Sequence, residues 1–272
     1  MYRPWRVPPA LRRDVVHLAA YDERSPRPVR RREIPHGGVT LILGLEPTLT
    51  LDGLPGSPPA FVAGMTDAPT MTEFVGRQCG VQVDLSPLGA LRLLGCPGEE
   101  LARRVVDVDA LGGVLAGLPR RLRADGTWEA RRRRVDLALL QLREGGRREP
   151  DPEVVRAWDL LASSAGRVTV NALAAEVGWS RRHLLTRFRT QVGLAPTPTR
   201  RVLRLHRAAS LLLPGRGPGR RPGPERITDV AAAAGYADHA HLVREFHDLA
   251  GCTPGALMAE CSDVQAGTTA DS

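Results

Sequence analysis

Not one of the 272 residues is a lysine, so all 38 basic side chains are arginine. Together with 28 Gly, 23 Pro and abundant alanine, this is first the imprint of GC-rich codons, and the arginine count alone says little about a nucleic-acid partner. The chain also lacks any uninterrupted apolar run approaching the roughly 18 residues of a membrane span. Its opening residues, MYRPWRVPPALRRD, contain no apolar signal core. These absences predict a soluble, cytoplasmic protein without a membrane partner. Cysteine is scarce and scattered. Cys79, Cys96, Cys252 and Cys261 form no C-x-x-C pair, which argues against a zinc site and against a disulfide framework.

What is present is enough for two domains, because 42% of the residues are apolar and the length supports two separate cores. The charge is unevenly placed. Residues 166–261 hold 14 Arg against 7 acidic residues, a net of +7 out of +8 for the whole chain. Such a concentration is the electrostatic footprint expected of a polyanion binder.

The first part of the chain reads as mainly β. Val39, Leu41 and Leu43, then Leu49 and Leu51, alternate around a proline-containing turn, which predicts a hairpin, and FVAG at 61–64 and GVQVDL at 80–85 are further strands. Helices follow. Ser86-Pro87 and Pro97 each suit a helix start, predicting helices over SPLGALRLLG and PGEELARRVVDV, then over 127–146 and 152–166. Arg131, Arg132, Arg133 and Arg134 share their helix with Glu129, Asp136 and Glu144, so they form a solvated face whose stems cover the β half. Residues 214–226, PGRGPGRRPGPER, read as a flexible basic loop, and the last dozen residues as a disordered tail.

The most informative feature is a repeat. VTVNALAAEVGWSRRHLLTRF (168–188) and RITDVAAAAGYADHAHLVREF (226–246) each combine an Ala-rich helix, a Gly-aromatic step, a capping residue and a helix ending in Phe. Gly178 and Gly235 supply the tight turn, Ser180 and Asp238 the cap, and Leu184 with Phe188, or Leu242 with Phe246, the buried stripe. Left outside are Arg181, Arg182, Leu185 and Thr186 in one unit and His239, Ala240, Val243 and Arg244 in the other. A capped, exposed helix carrying such groups suits the major groove, where arginine hydrogen-bonds guanine and apolar groups touch thymine methyls.

These pieces, with GLAP, RVLRLHRAASLL and DVAAAAGYADHAHLVREFHDLAGCTPGAL, resemble the C-terminal DNA-binding domain of the AraC/XylS family of transcriptional regulators. The resemblance implies seven helices with two helix-turn-helix units joined by a long helix near 197–213. It places base contacts on Arg182, Leu185, Thr186, His239, Ala240, His241 and Arg244, and phosphate or structural roles on Arg181, Arg187, Arg189 and Arg204. Three features depart from the family pattern: Thr197-Pro198-Thr199 at the start of the joining helix, the long loop before Ile227, and Leu185 with Thr186 where polar or basic groups are usual. The N-terminal half resembles the cupin-like sensor and dimerisation domains of such regulators. A cupin enzyme needs a cluster of His and carboxylate ligands, whereas only His17 and His36 lie in this half, so no metal or cofactor is expected.

The expected fold class is therefore α+β. It comprises a β-rich N-terminal sensor or dimerisation domain with trailing helices (1–145), a connecting helix or linker (146–166), an all-α double helix-turn-helix domain (167–261) and a disordered tail (262–272). The expected function is transcription regulation without catalysis, with double-stranded promoter DNA as partner and a small-molecule effector and a homodimer left open. A repair enzyme delivering a reactive cysteine would need clustered cysteine ligands or a Cys-His motif, and Cys79 and Cys96 have neither. A purely architectural DNA binder, with an N-terminal half that only dimerises, is the third alternative.

Overall fold

The computed structural model describes residues 1–46, 49–52, 54, 56–146, 148–213 and 227–269. The N-terminal half is built on one antiparallel sheet. Its strands are β1 (Tyr2–Pro4), β2 (Val15–Glu33), β3 (Val39–Gly44), β4 (Leu49–Leu51), β5 (Ala60–Ala63), β6 (Thr70–Leu85) and β7 (Val105–Asp107). They lie in the order β1-β2-β6-β3-β5-β7, with β4 also on β6. Period-two alternation sends Leu18, Leu41, Leu43, Val81, Val83 and Leu85 into the core, where all are fully buried.

The predicted hairpin between β3 and β4 is not what forms. β3 pairs residues 80–85 of β6 and β4 pairs residues 72–74, both antiparallel to it, so the two are successive stretches beside one long neighbour. Alternation identifies a half-buried strand but not its partner. β2 is longer than its sequence suggests, since Pro26 and Pro28 interrupt the pattern. The register with β6 shifts between Ser25 and Val29, where those prolines sit.

Helix α1 (Pro87–Leu94) starts as expected, with Ser86 Oγ accepting the Gly89 N–H. The next predicted helix is cut short. α2 (Gly98–Leu101) has four residues, Arg103 turns the chain at φ 57, and the β-branched Val105 and Val106 join β5 as part of β7. α3 (Val108–Leu111), α4 (Leu118–Ala124) and α5 (Trp128–Glu144) complete this half. On α5, Arg131 stacks over Trp128, Arg132 and Arg133 face Asp136 and Glu129, and Arg134 binds Asp125, so this run is engaged with its neighbours.

Among the described residues, seven helices make the C-terminal part: α6 (Pro152–Ser163), α7 (Val170–Glu176), α8 (Arg181–Val192), α9 (Pro196–Leu212), α10 (Ile227–Ala234), α11 (His239–Ala250) and α12 (Pro254–Thr269). α6 lies in the segment read from sequence as a connecting helix or linker, and it packs into this bundle. Its Val154, Ala157, Trp158 and Leu161 are buried in the same cluster as Leu173, Leu184 and Phe188. Pro198 falls in the first turn of α9, where its missing N–H costs nothing. α12 continues to Thr269, through much of the segment predicted to be a disordered tail, and the 214–226 loop lies outside the described residues.

Two cores result. One runs without interruption from the sheet through α1 and α5 to α6–α8 and Val202. The other is enclosed by Leu205, Ala208, Ala209 and Leu212 of α9 together with α10–α12. α9 therefore belongs to both, its first half packing on one unit and its second half on the other. The N-terminal half also touches both units. Gly98 abuts the backbone at residues 191–193, Gly37 abuts Leu203, and Arg32 reaches Glu260. Among the described residues, no helix is long and apolar enough to cross a membrane.

Candidate nucleic-acid interface

Both turns of the repeat close with the same two backbone bonds. Gly178 and Trp179 donate to the Ala175 and Ala174 carbonyls, and Gly235 and Tyr236 donate to those of Ala232 and Ala231. Each glycine has a positive φ, 69° and 84°, which L side chains rarely adopt. The second turn is one residue longer, by Ala237, and then the cap follows. Ser180 Oγ accepts from the His183 N–H (3.3 Å) and Asp238 Oδ1 from the His241 N–H (2.7 Å). Replacing Asp238 with alanine removes that acceptor from an exposed helix start and should lower stability by about 1 kcal/mol, read by thermal unfolding.

From the caps onward the two recognition helices correspond residue by residue. Leu184 and Phe188 in α8, and Leu242 and Phe246 in α11, are fully buried. On the opposite side, Arg182, Thr186 and Arg189 form an exposed stripe at i, i+4, i+7, and Ala240, Arg244 and His247 form the same stripe in α11. Arg181 and His239 are exposed at the first position of each helix, while Leu185 and Val243 are half-buried beside the cores. The guanidinium groups of Arg181, Arg182, Arg189 and Arg244 make no hydrogen bond or ion pair with a described residue. Thr186 Oγ1 donates back to the Arg182 carbonyl.

Two residues singled out from sequence have partners within the protein. His241 stands edge-on to Tyr236 (5.3 Å between ring centroids), just as His183 does to Trp179 (4.5 Å), so both histidines brace the turn aromatic. Arg187 makes a bidentate contact with Asp151 ahead of α6, at 2.7 and 2.8 Å. Conversely, His247 was not among the sequence-derived residues. Its counterpart Arg189 was, and the repeat itself carries that signal. Arg204 is structural, its guanidinium bonding Glu245 at 2.7 Å.

The Arg187 hydrogen bonds outweigh burial and hold the Asp151 carboxyl below its ordinary range. A depressed carboxylate contributes stability that is present above its unfolded pKa and lost as pH falls through the folded value. Both side chains are partly exposed, so the contribution is under about 1 kcal/mol. The stability difference between wild type and Arg187→Ala should hold steady above about pH 5 and shrink as pH falls below the ordinary carboxylate range of about 4, measured by denaturant unfolding across acid pH. Burial pushes the Cys79 and Cys252 thiols up, opposite to the shift of a reactive thiolate.

Comparison with known proteins agrees with this geometry. Residues 173–260 match the family described as a helix-turn-helix domain. Over 95 residues, 35% of this chain, the sequence is 33% identical to the uncharacterized HTH-type transcriptional regulator YbfI of Bacillus subtilis (strain 168). The match covers 31% of that relative, so the chain spans about a third of its length. Across 89% of this chain the fold resembles ToxT from Vibrio cholerae, with a TM-score of 0.52, 11% identity and 97% of that chain covered. It is also similar to ToxT from Vibrio cholerae O395 bound to (E)-4-(8-methylnaphthalen-1-yl)but-3-enoic acid, with a TM-score of 0.50, 11% identity and 89% and 98% of the two chains covered. At this identity the likeness is one of fold: a β-sheet domain followed by a helical domain.

Proposed function

We propose, from the AraC-type helix-turn-helix domain that residues 173–260 form, that this chain is a sequence-specific regulator of transcription whose two recognition helices enter successive major grooves of promoter DNA. The carrying observation is the exposed stripe repeated at equivalent positions of α8 and α11, on helices with matching turns. α9 joins the units with 17 residues, which at 1.5 Å per residue span about 25 Å, a length suited to holding two helices on one face of a duplex. Arg182, Thr186, Ala240 and Arg244 face bases, with His239 at the groove entrance, while Arg181 and Arg189 bind phosphate. Leu185 lies at the edge of the contact.

The N-terminal domain is the controlling part, acting in the cytoplasm without catalysis of its own. It grips the first unit through Gly98 and the second through Arg32, so a small-molecule effector or a homodimer contact that shifts it changes how the recognition helices meet DNA. Selection of binding fragments from a random duplex pool tests the reading. The expected product is a site with two base-specific blocks about one helical turn apart. A pool that stays random while binding falls steeply with salt would refute it, leaving the arginines as a sequence-indifferent anchor.

A further inference from the structure

Equivalent positions 187 and 245 of the two recognition helices carry opposite charges, and each is tied to a different support. Arg187 is bonded to Asp151 on the N-terminal side of its own unit. Glu245 is bonded to the helix that joins the units. Its carboxylate is buried, 6% exposed, and Oε1 accepts from Arg201 Nε at 2.9 Å and from Arg204 at 2.7 Å, both on α9. Arg201 continues to Asp248 Oδ2 at 2.9 Å, one turn further along α11. The Arg204 guanidinium also lies over the Tyr236 ring, 5.5 Å from its centroid, and His241 Nε2 stands 4.0 Å from the same carboxylate oxygen. Among the described residues, the arginines bonded to Glu245 thus both lie on α9, at the α9–α11 junction.

A buried ion pair adds little net stability, because the cost of desolvating the charges roughly cancels their attraction. In some proteins such pairs instead specify one arrangement over others that pack equally well. The apolar contacts between α9 and α11 involve smooth aliphatic groups such as Leu205, Ala208, Leu242 and Leu249, which tolerate small rotations of one helix against the other. The Glu245 carboxylate, held by two arginines one turn apart on α9, does not.

We infer that Glu245 is the positioning residue that sets the pose of the second recognition helix relative to the joining helix, and so sets the spacing between the two DNA half-sites the protein accepts. This rests on the two-groove reading given above. Arg187, anchored outside α9, has no equivalent influence on spacing.

The test measures affinities of the full chain for the selected site and for versions with base pairs inserted or removed between the half-sites, using wild type, Glu245→Gln and Arg201→Gln. Arg201 is the more exposed partner, so its variant remains informative should Glu245→Gln fold poorly. Wild type is expected to favour one spacing over its neighbours by about tenfold, and both variants to reduce that ratio to about threefold while keeping the base preference within each half-site. Equal weakening at every spacing would overturn the inference, leaving Glu245 a stabilising residue only. A wild type with two base-specific half-sites but no preferred spacing would also overturn it, while leaving the groove reading intact. Absence of base-specific half-sites would overturn both.

Discussion

Replacing Arg244 with alanine should weaken binding to the selected site by about ten- to a hundredfold, an effect of 1–3 kcal/mol, and relax the base preference at a single position. The expectation follows from how the side chain is left free. It lies in the outward stripe of α11, its guanidinium has no hydrogen-bond or ion-pair partner among the described residues, and the neighbouring Glu245 is already taken by Arg201 and Arg204. A bidentate arginine–guanine contact is the commonest specific contact in the major groove. The equivalent residue of α8 is Thr186, while the arginine proposed to face bases in the first unit, Arg182, stands one turn earlier, where α11 has Ala240. The two helices should therefore read different bases, and the selected half-sites should differ in sequence rather than repeat. Competition binding with single-base variants of the site measures both points. A uniform loss across all sequences would instead mean that Arg244 contacts phosphate.

Gly98→Ala should lower stability by roughly 1–3 kcal/mol through overpacking, and loosen the N-terminal domain from the first unit. A Cβ at residue 98 would lie 2.5 Å from the Gly193 nitrogen and the Val192 carbonyl carbon and 2.6 Å from the Gln191 carbonyl oxygen. These are backbone atoms at the end of the first recognition helix, with no flexible side chain to yield. Gly193 faces the contact from the other side at φ 109°, so glycine is required on both surfaces. α2 must then move away from α8. Gly126→Ala is the matched control, since nothing lies within 4 Å of its added carbon and its effect should stay within about 0.5 kcal/mol. Thermal unfolding of the two variants separates them. Equal melting temperatures would show that the close approach does not hold the domains together.

The parts that could be read from sequence are those fixed by near neighbours along the chain. The turn bonds at Gly178 and Gly235, the caps at Ser180 and Asp238 and the buried phenylalanines are all set within about six residues, and each unit repeats the other's pattern. Long-range partners were invisible. Nothing near Leu49 indicates that its strand continues along β6 instead of turning back on β3, and nothing near Val105 indicates that β5 waits for it. The same limit applies at the interface. Arg187 resembles its exposed arginine neighbours until Asp151, 36 residues earlier, is brought beside it, and His241 resembles a groove contact until Tyr236 is seen against its ring. His247 was legible in principle, because the repeat pairs it with Arg189.

The proposed function turns on two helices of one chain reading two adjacent major grooves. Methylation interference at guanine N7, an atom exposed only in the major groove, tests it most directly on the selected site bound by the intact protein. The expected pattern is two clusters of interfering guanines about one helical turn apart on the same face of the duplex. A single cluster, or interference spread evenly along the fragment, would contradict it.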